Sequence, residues 1–600
     1  MIEITRGAAY KSFTSSEEFR KKFGKRMFGQ AKICYEFGPF QIDTRERQLL
    51  RDGKVVALRP KVFDTLLVLV QNSGHILTKD DVMKRVWSDT AVEEGNVSRT
   101  ISSLRSALGE RRDEHRYIET IPWRGYRFVA TVKELRSEDL GKAINSVAVL
   151  PFVNVDVNPT TEYLADGITE GLIANLAQLT NLRVISRNSV FRYKGREVDA
   201  QSVGRELNVE ALLLGRVAEP GEFLSISVEL VDTSDDRHIW GAQYVRSPKE
   251  LFVTCETIAR NVREKLRLDT LTSEAPRTGL RHTLNHEAHV CYLKGRYHFN
   301  KLTLEGVQKA IEYLKQAIEK DPTYALAYAA LGDCHNYLGQ RDEAKNAVVK
   351  ALELNDNLGE AHATLGFFRF LYEWDFDGAE DEFKRALALS PSYAEAHHWY
   401  AIYLANLARH EEAEQQARQA VALDPLSLLM MMTPAMNSFL ARDYECAIEQ
   451  LRAVLDMDPN FVAARSVLGN VLVQKGLYEQ ALTEYHTVLE LIKGAPPVEV
   501  SVKALIAQAH AKSDRRSDAV SLLEEVIAAG TASQYSIAAV YSALGDRDAA
   551  FEWLNKAYEQ RDLQMVSLKV DPSLDGVRQD ARLAELVNRV GLPYLYPCET

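Results

Sequence analysis

The sequence predicts a multidomain chain, α/β in its amino-terminal half and all-α beyond it. Three observations predict this. Strand, helix and hairpin patterns alternate up to about residue 132, a second strand–helix alternation starts at Ser146, and small residues recur every 34 or 35 positions from Ala310. Six hundred residues with 46% hydrophobic content can bury several cores, so three or more domains are expected.

The stretch from Asn96 to Phe128 organises the first domain. Val97, Ile101, Leu104 and Leu108 recur at helical spacing, with Asn96 and Gly109 as cap residues. At 100° per residue the opposite face carries Arg99, Ser102, Ser103 and Ser106, with Arg105 at the flank and no acid until Glu110. Short hydroxyls and guanidiniums suit a groove lined with phosphates and base edges, whereas the bland alternative is a solvated helix surface. Tyr117–Ile121 then alternates as a strand, Pro122-Trp123-Arg124-Gly125 reads as a turn and Tyr126–Val129 resumes the strand. A helix followed by such a hairpin is a winged helix-turn-helix. Upstream, residues 35–58 read as strands and turns, 60–74 as a helix with proline at its first position, and Thr78-Lys79-Asp80-Asp81 as the start of a helix ending near Trp87.

In this order of elements, and in the phrases ILTKDDVMKRVW, NVSRTISSLRSALG and RGYRF, residues 35–132 resemble the DNA-binding domain of OmpR/PhoB-type response regulators and CadC-like activators. The resemblance implies double-stranded DNA as partner. It makes Asn96, Arg99, Thr100, Ser102, Ser103 and Arg105 the recognition-helix candidates, and Trp123, Arg124 and Arg127 the wing candidates. It also implies that the acidic loop over 88–95 contacts RNA polymerase, although a plain connector fits those residues equally well.

The expected divisions are a basic extension over 1–32, the winged helix over 33–132, a polar linker over 133–145, a small α/β domain over 146–270 and a helical array over 285–595. The extension is too short for a phospho-accepting receiver domain. In the middle domain, SVAVLPF, YLADGITEGLIANLA and GRELNVEALLLGRV resemble the TolB N-terminal/FlgO-like module, which implies a scaffold, a dimerising unit or a ligand pocket. Asp166 and Glu170 invite a catalytic reading, but acids favour a helix N-terminus and no partner at a fixed spacing supports catalysis. Trp240 reads as core at a strand end.

Ala310, Ala344, Ala379, Ala413, Ala447 and Ala481 recur in the last region. Each is followed seven residues on by Ala317, Ala351, Ala386, Ala420, Val454 and Val488, and Pro322, Pro391, Pro425 and Pro459 close units. Small residues let paired helices approach and proline stops the second helix. The pattern resembles the tetratricopeptide repeat and implies a solenoid that binds a protein or peptide on its concave face. Ala519 and Ala550 suggest two degenerate units before a capping helix over about 580–590. One 35-residue step, near Trp374, reads as a one-residue loop insertion. Tyr297, Tyr328, Tyr337, Tyr400 and Tyr403 read mainly as inter-helix packing. His282, His286 and His289 raise a metal question, but HEAH lacks the HExxH spacing, so a surface linker is expected, with no metal or cofactor.

A net charge of −11 fits a DNA binder once divided: bases outnumber acids in the winged-helix segment, and acids outnumber bases from Asn285 on. Cys34, Cys255, Cys291, Cys334, Cys446 and Cys598 form no CxxC pair, which fits a reducing cytoplasm, and no apolar run is long enough to cross a bilayer, unlike the CadC-like pattern. The expectation is therefore a one-component bacterial transcription regulator, not an enzyme, in which the repeats sense a protein partner and the winged helices pair as a homodimer on DNA. The alternative is a protein-assembly scaffold whose winged helix no longer reads DNA.

Overall fold

The computed structural model describes residues 33–593 apart from 45–46, 52–53, 57, 88–94, 111–115, 137–143, 156–161, 219–222, 248–249, 267–282, 284 and 302. The expected extension over 1–32 and nearly all of the 88–95 loop lie outside the described residues. The chain divides into two compact units, 1–143 and 144–600.

The first unit begins with four antiparallel strands, β1 (Ile33–Phe37), β2 (Phe40–Asp43), β3 (Gln48–Arg51) and β4 (Lys54–Val56). Helix α1 (Pro60–Gln71), strand β5 (Ile76–Leu77), helices α2 (Lys79–Val86) and α3 (Gly95–Leu108), and the hairpin β6 (Ile118–Ile121) with β7 (Gly125–Phe128) follow. The final strand β8 (Lys133–Arg136) pairs antiparallel with β1, so part of the expected linker instead completes a five-stranded sheet. The Phe37 ring lies 5.5 Å from Phe40, 5.0 Å from Phe128 and 5.8 Å from Tyr117, joining that sheet to the winged-helix core.

The second unit opens with an α/β module. Strands β9 (Ser146–Val149), β10 (Val153–Asn154), β11 (Arg183–Val184), β12 (Ala211–Ala218), β13 (Leu224–Asp232) and β14 (His238–Arg246) form one mixed sheet in the order β11-β9-β12-β13-β14, with β10 parallel to β12. Helices α4 (Glu162–Ala177), α5 (Arg187–Val190), α6 (Ala200–Glu206) and α7 (Leu251–Lys265) complete the module. Trp240 is half-buried and packs on its core, as the sequence predicts. Asp166 departs from expectation. It lies in the second turn of α4 rather than at the N-terminus, is buried, and is held 2.5 Å from Lys194 Nζ.

Eight helix pairs follow among the described residues, from His286–Phe299 with Leu304–Lys320 to Gln534–Leu544 with Arg547–Glu559, ending in a helix over Ala581–Val590. The periodic alanines explain the pairing. Ala310, Ala344, Ala379, Ala413, Ala447, Ala481, Ala519 and Ala550 are all fully buried where two helices meet, and anything larger would separate them. The 35-residue step is a π-helical turn, Arg369–Glu373, so the extra residue sits in a helix rather than a loop. It ends on Trp374 in the left-handed region (φ 58°). That turn also joins distant repeats: the Trp374 ring lies 5.5 Å from Tyr558, and the Arg561 guanidinium sits 4.5 Å from its centroid. Tyr400 and Tyr403 are buried packing residues as expected, whereas Tyr337 is 48% exposed.

The α/β module is packed into this array. Ser186 N–H donates to Leu423 O (2.8 Å), Ser189 Oγ to Asp424 Oδ1 (2.5 Å) and Arg183 to Ala422 O (2.8 Å). Leu293 of the first repeat joins the module's core, and Leu426 joins its second apolar cluster. Part of the surface of the repeats is thus covered from within the chain.

Candidate nucleic-acid interface

The candidate interface is built on α3. Val97, Ile101, Leu104 and Leu108 are at most 3% exposed, packed in one core with Leu66 and Leu69 of α1 and Ile118 and Phe128 of the hairpin. Each such side chain contributes about 2 kcal/mol by leaving water, so the rotational setting of α3 is strongly fixed. Arg99, Ser102, Ser103 and Ser106 are consequently exposed together on the opposite face. Thr100 is half-buried and donates its hydroxyl proton to Asn96 O (2.8 Å), while Ser103 donates to Arg99 O (3.1 Å). Each hydroxyl thereby has its proton committed and only lone pairs left to offer, as an acceptor.

Two candidates take other positions. Asn96 lies inside the first turn of a helix that already begins at Gly95, so it is not the cap. Gly109 does end the helix, in the left-handed region at φ 70°. Arg105 turns toward the hairpin: its guanidinium donates to Ile118 O (2.8 Å) and Thr120 Oγ1 (2.9 Å), and its side chain is only 13% exposed.

Beneath Arg105 sits Glu110, which sequence reasoning noticed only as the first acid after the helix. Its carboxylate is buried and accepts the Tyr117 N–H (2.9 Å) and the Ile118 N–H (3.3 Å), with Arg105 Nε 4.0 Å away. Together the two residues lock the base of the hairpin to the end of α3. No spacing rule announces this, because the partners are backbone groups brought near only by folding.

At the other end of the hairpin, Trp123 has φ 64° and is completely exposed, so it does not brace the turn. Arg124 beside it is exposed as well. Arg127 makes a cross-strand ion pair with Glu119 (2.6 Å), which leaves its side chain 37% exposed. Strand β5 pairs with β7 through Ile76↔Arg127 and Leu77↔Tyr126. Gly125 permits that approach, since a Cβ there would lie 2.0 Å from Leu77 O. Helix α2 is fixed by a capping box in which Thr78 Oγ1 accepts from Asp81 N–H and the Asp81 carboxylate accepts from Thr78 N–H. The bonds that this carboxylate receives from the Thr78 hydroxyl and from the Thr78 N–H lower the Asp81 pKa.

Residues 53–128 match the family model described as "Transcriptional regulatory protein, C terminal", and tetratricopeptide-repeat models match 307–366, 369–427, 438–499 and 531–561. Transcriptional regulator HilA of Salmonella typhimurium is 26% identical over 388 residues, 63% of this chain and 68% of that protein. Transcriptional activator CadC of Escherichia coli is 32% identical over 96 residues, 16% of this chain and 19% of that protein. The chain is a homologue of the HilA and CadC regulators. Its OmpR/PhoB-type DNA-binding domain thus includes α3 and the wing, and its repeats are tetratricopeptide repeats. A protein of Rhizobium meliloti that bears an adenylate cyclase name is 33% identical over 186 residues, 31% of this chain and 32% of that protein.

No helix among the described residues is long and apolar enough to cross a membrane. His286 and His289 belong to the first repeat helix rather than to a linker, and His289 Nδ1 is 3.0 Å from the Tyr324 hydroxyl. Burial pushes the His289 pKa down to about 4. His282 lies outside the described residues. Glu170, the second residue of the catalytic reading, is bound by Arg187 Nε (2.6 Å) and Asn300 Nδ2 (2.6 Å).

Proposed function

We propose that the chain is a one-component bacterial transcription regulator that binds promoter DNA in the cytoplasm. Helix α3 lies in the major groove with Arg99, Thr100, Ser102 and Ser103 toward the bases and phosphates. Arg105 positions the hairpin, and Trp123 and Arg124 reach the adjacent backbone or minor groove from the wing tip. The observation that carries this reading is the exposed Arg99–Ser102–Ser103 face, held outward by a fully buried apolar seam and flanked by an exposed Trp123–Arg124 tip. Arginine is the sharpest reader in the set, because its guanidinium can engage both acceptors of a guanine.

The output is binding rather than chemistry. Asp166 and Glu170 are committed to ion pairs, and the repeats supply surface rather than reacting groups. The array recruits a protein partner on the part that the α/β module leaves open, and two copies pair on DNA with adjacent half-sites. The experiment is sequencing of genomic fragments retained by the full chain, with Arg99→Ala as control. A defined operator enriched by the parent and lost in the variant supports the reading. Equal, sequence-independent retention by both would leave a protein-assembly scaffold as the better account.

A further inference from the structure

Where the α/β module meets the repeats, the packing is incomplete. Elsewhere along this seam the two share hydrophobic cores and short hydrogen bonds, yet between α4, α7 and the first helices of the first four repeats lies a cavity of about 530 Å³. The cavity is partly open to solvent, and its size is that of a small-molecule site.

The lining is both aromatic and unevenly charged. Tyr292, Phe299, Tyr393 and Trp399 supply ring surface. Four carboxylates, Glu170, Asp333, Glu360 and Glu395, face two guanidiniums, Arg187 and Arg296. The arginines are already engaged: Arg187 and Arg296 lie 2.6 and 3.4 Å from Glu170, and Arg296 lies 3.2 Å from Asp333. Glu360 and Glu395 remain as acids in excess of the two guanidiniums. They occupy the same position, the second residue of the first helix, in the third and fourth repeats. The helix N-termini make the two acids tolerable there, but they do not fill the space between them. Glu395 accepts from Asn188 Nδ2, at 3.4 Å.

We propose that this cavity binds a small organic cation, an amine or guanidinium carried on an apolar or aromatic body. The positive group sits between Glu360 and Glu395, and the body lies against Trp399 and Tyr393, where a cation also gains from the ring faces. An anion is disfavoured because both arginines are matched by acids. Burial raises the pKa of Glu395 to about 7 and of Asp333 to about 6, and a bound cation would reverse that by favouring the ionised carboxylates. The cavity lies wholly within the second unit.

The test uses the full chain and an isosteric series in titration calorimetry: tryptamine, tryptophol and indole-3-propionate, with agmatine and spermidine as cations of other shapes. The expected result is saturable binding of at least one of the three cations. If tryptamine is that cation, it should bind at least tenfold more tightly than its alcohol and its acid. The double variant Glu360→Gln, Glu395→Gln should lose that affinity at least tenfold while melting no lower than the parent, which separates lost binding from lost fold. Failure of all three cations to bind at millimolar concentration overturns the proposal. Equal or tighter binding of tryptophol or indole-3-propionate overturns it too, as does undiminished affinity in the double variant.

Discussion

Arg99 and Arg124 are exposed for different reasons, and their replacement separates two contributions to DNA binding. Arg99 stands on the face opposite the buried seam of α3, so Arg99→Ala should cost about 1–3 kcal/mol on a specific operator and relax preference at one position. Arg124 stands at a turn, so Arg124→Ala should weaken all sequences alike and lower the salt dependence by about one counterion. Fluorescence anisotropy at several salt concentrations distinguishes these outcomes, and indifference to both changes would remove the DNA-binding reading. Glu110 acts inside the domain. Its carboxylate accepts two backbone N–H groups beside Arg105, so Glu110→Gln should destabilise the winged helix by about 1–3 kcal/mol in urea unfolding. At this scale the exposed residues were legible in the sequence, because helical periodicity alone separates the face of Arg99 from that of Val97. Arg105 was not, because a flank residue on a helix is assigned by its neighbour, here the hairpin.

At the scale of elements, the recognition helix, the wing and the repeat helices follow from periodicity and caps. The boundaries did not follow as readily. Gly95 rather than Asn96 starts α3, and residues 133–136 form a strand because β1 offers an open edge to pair with. The close approach of the wing to β5 depends on Gly125, whose φ of 141° and missing Cβ admit Leu77 O. Gly125→Ala should therefore cost a few kcal/mol and shift the wing, which loss of amide protection in β5 and β7 on hydrogen exchange would register. A parent-like exchange pattern in this variant would refute the steric argument. The Trp374 insertion carries a comparable lesson. The spacing reported one extra residue, but only packing against Tyr558 and Arg561 explains why it is held in a π-turn.

At the scale of the whole molecule, the seam between the α/β module and the repeats places carboxylates away from water, which makes the stability of the second unit depend on pH. Glu395 faces Asp424, Asp333 and Glu360, with Arg296, Arg187 and Asn188 around the same space. A carboxyl whose pKa rises on folding holds its proton more tightly in the folded state, so stability is greater at low pH and falls as pH rises toward the folded value. The second unit should accordingly melt at a higher temperature at pH 6 than at pH 8 in scanning calorimetry, and Glu395→Gln should flatten the difference. The sequence by itself determined the winged helix, the α/β alternation and the repeats, because each is written in local spacing: period two, period 3.6 and period 34. Only the tertiary structure decided that the α/β module seats against the repeats, that Arg105 serves the hairpin and that Glu360 and Glu395 share a cavity. Those pairings join residues tens to hundreds of positions apart, and the contacts that select them exist only once the chain has packed.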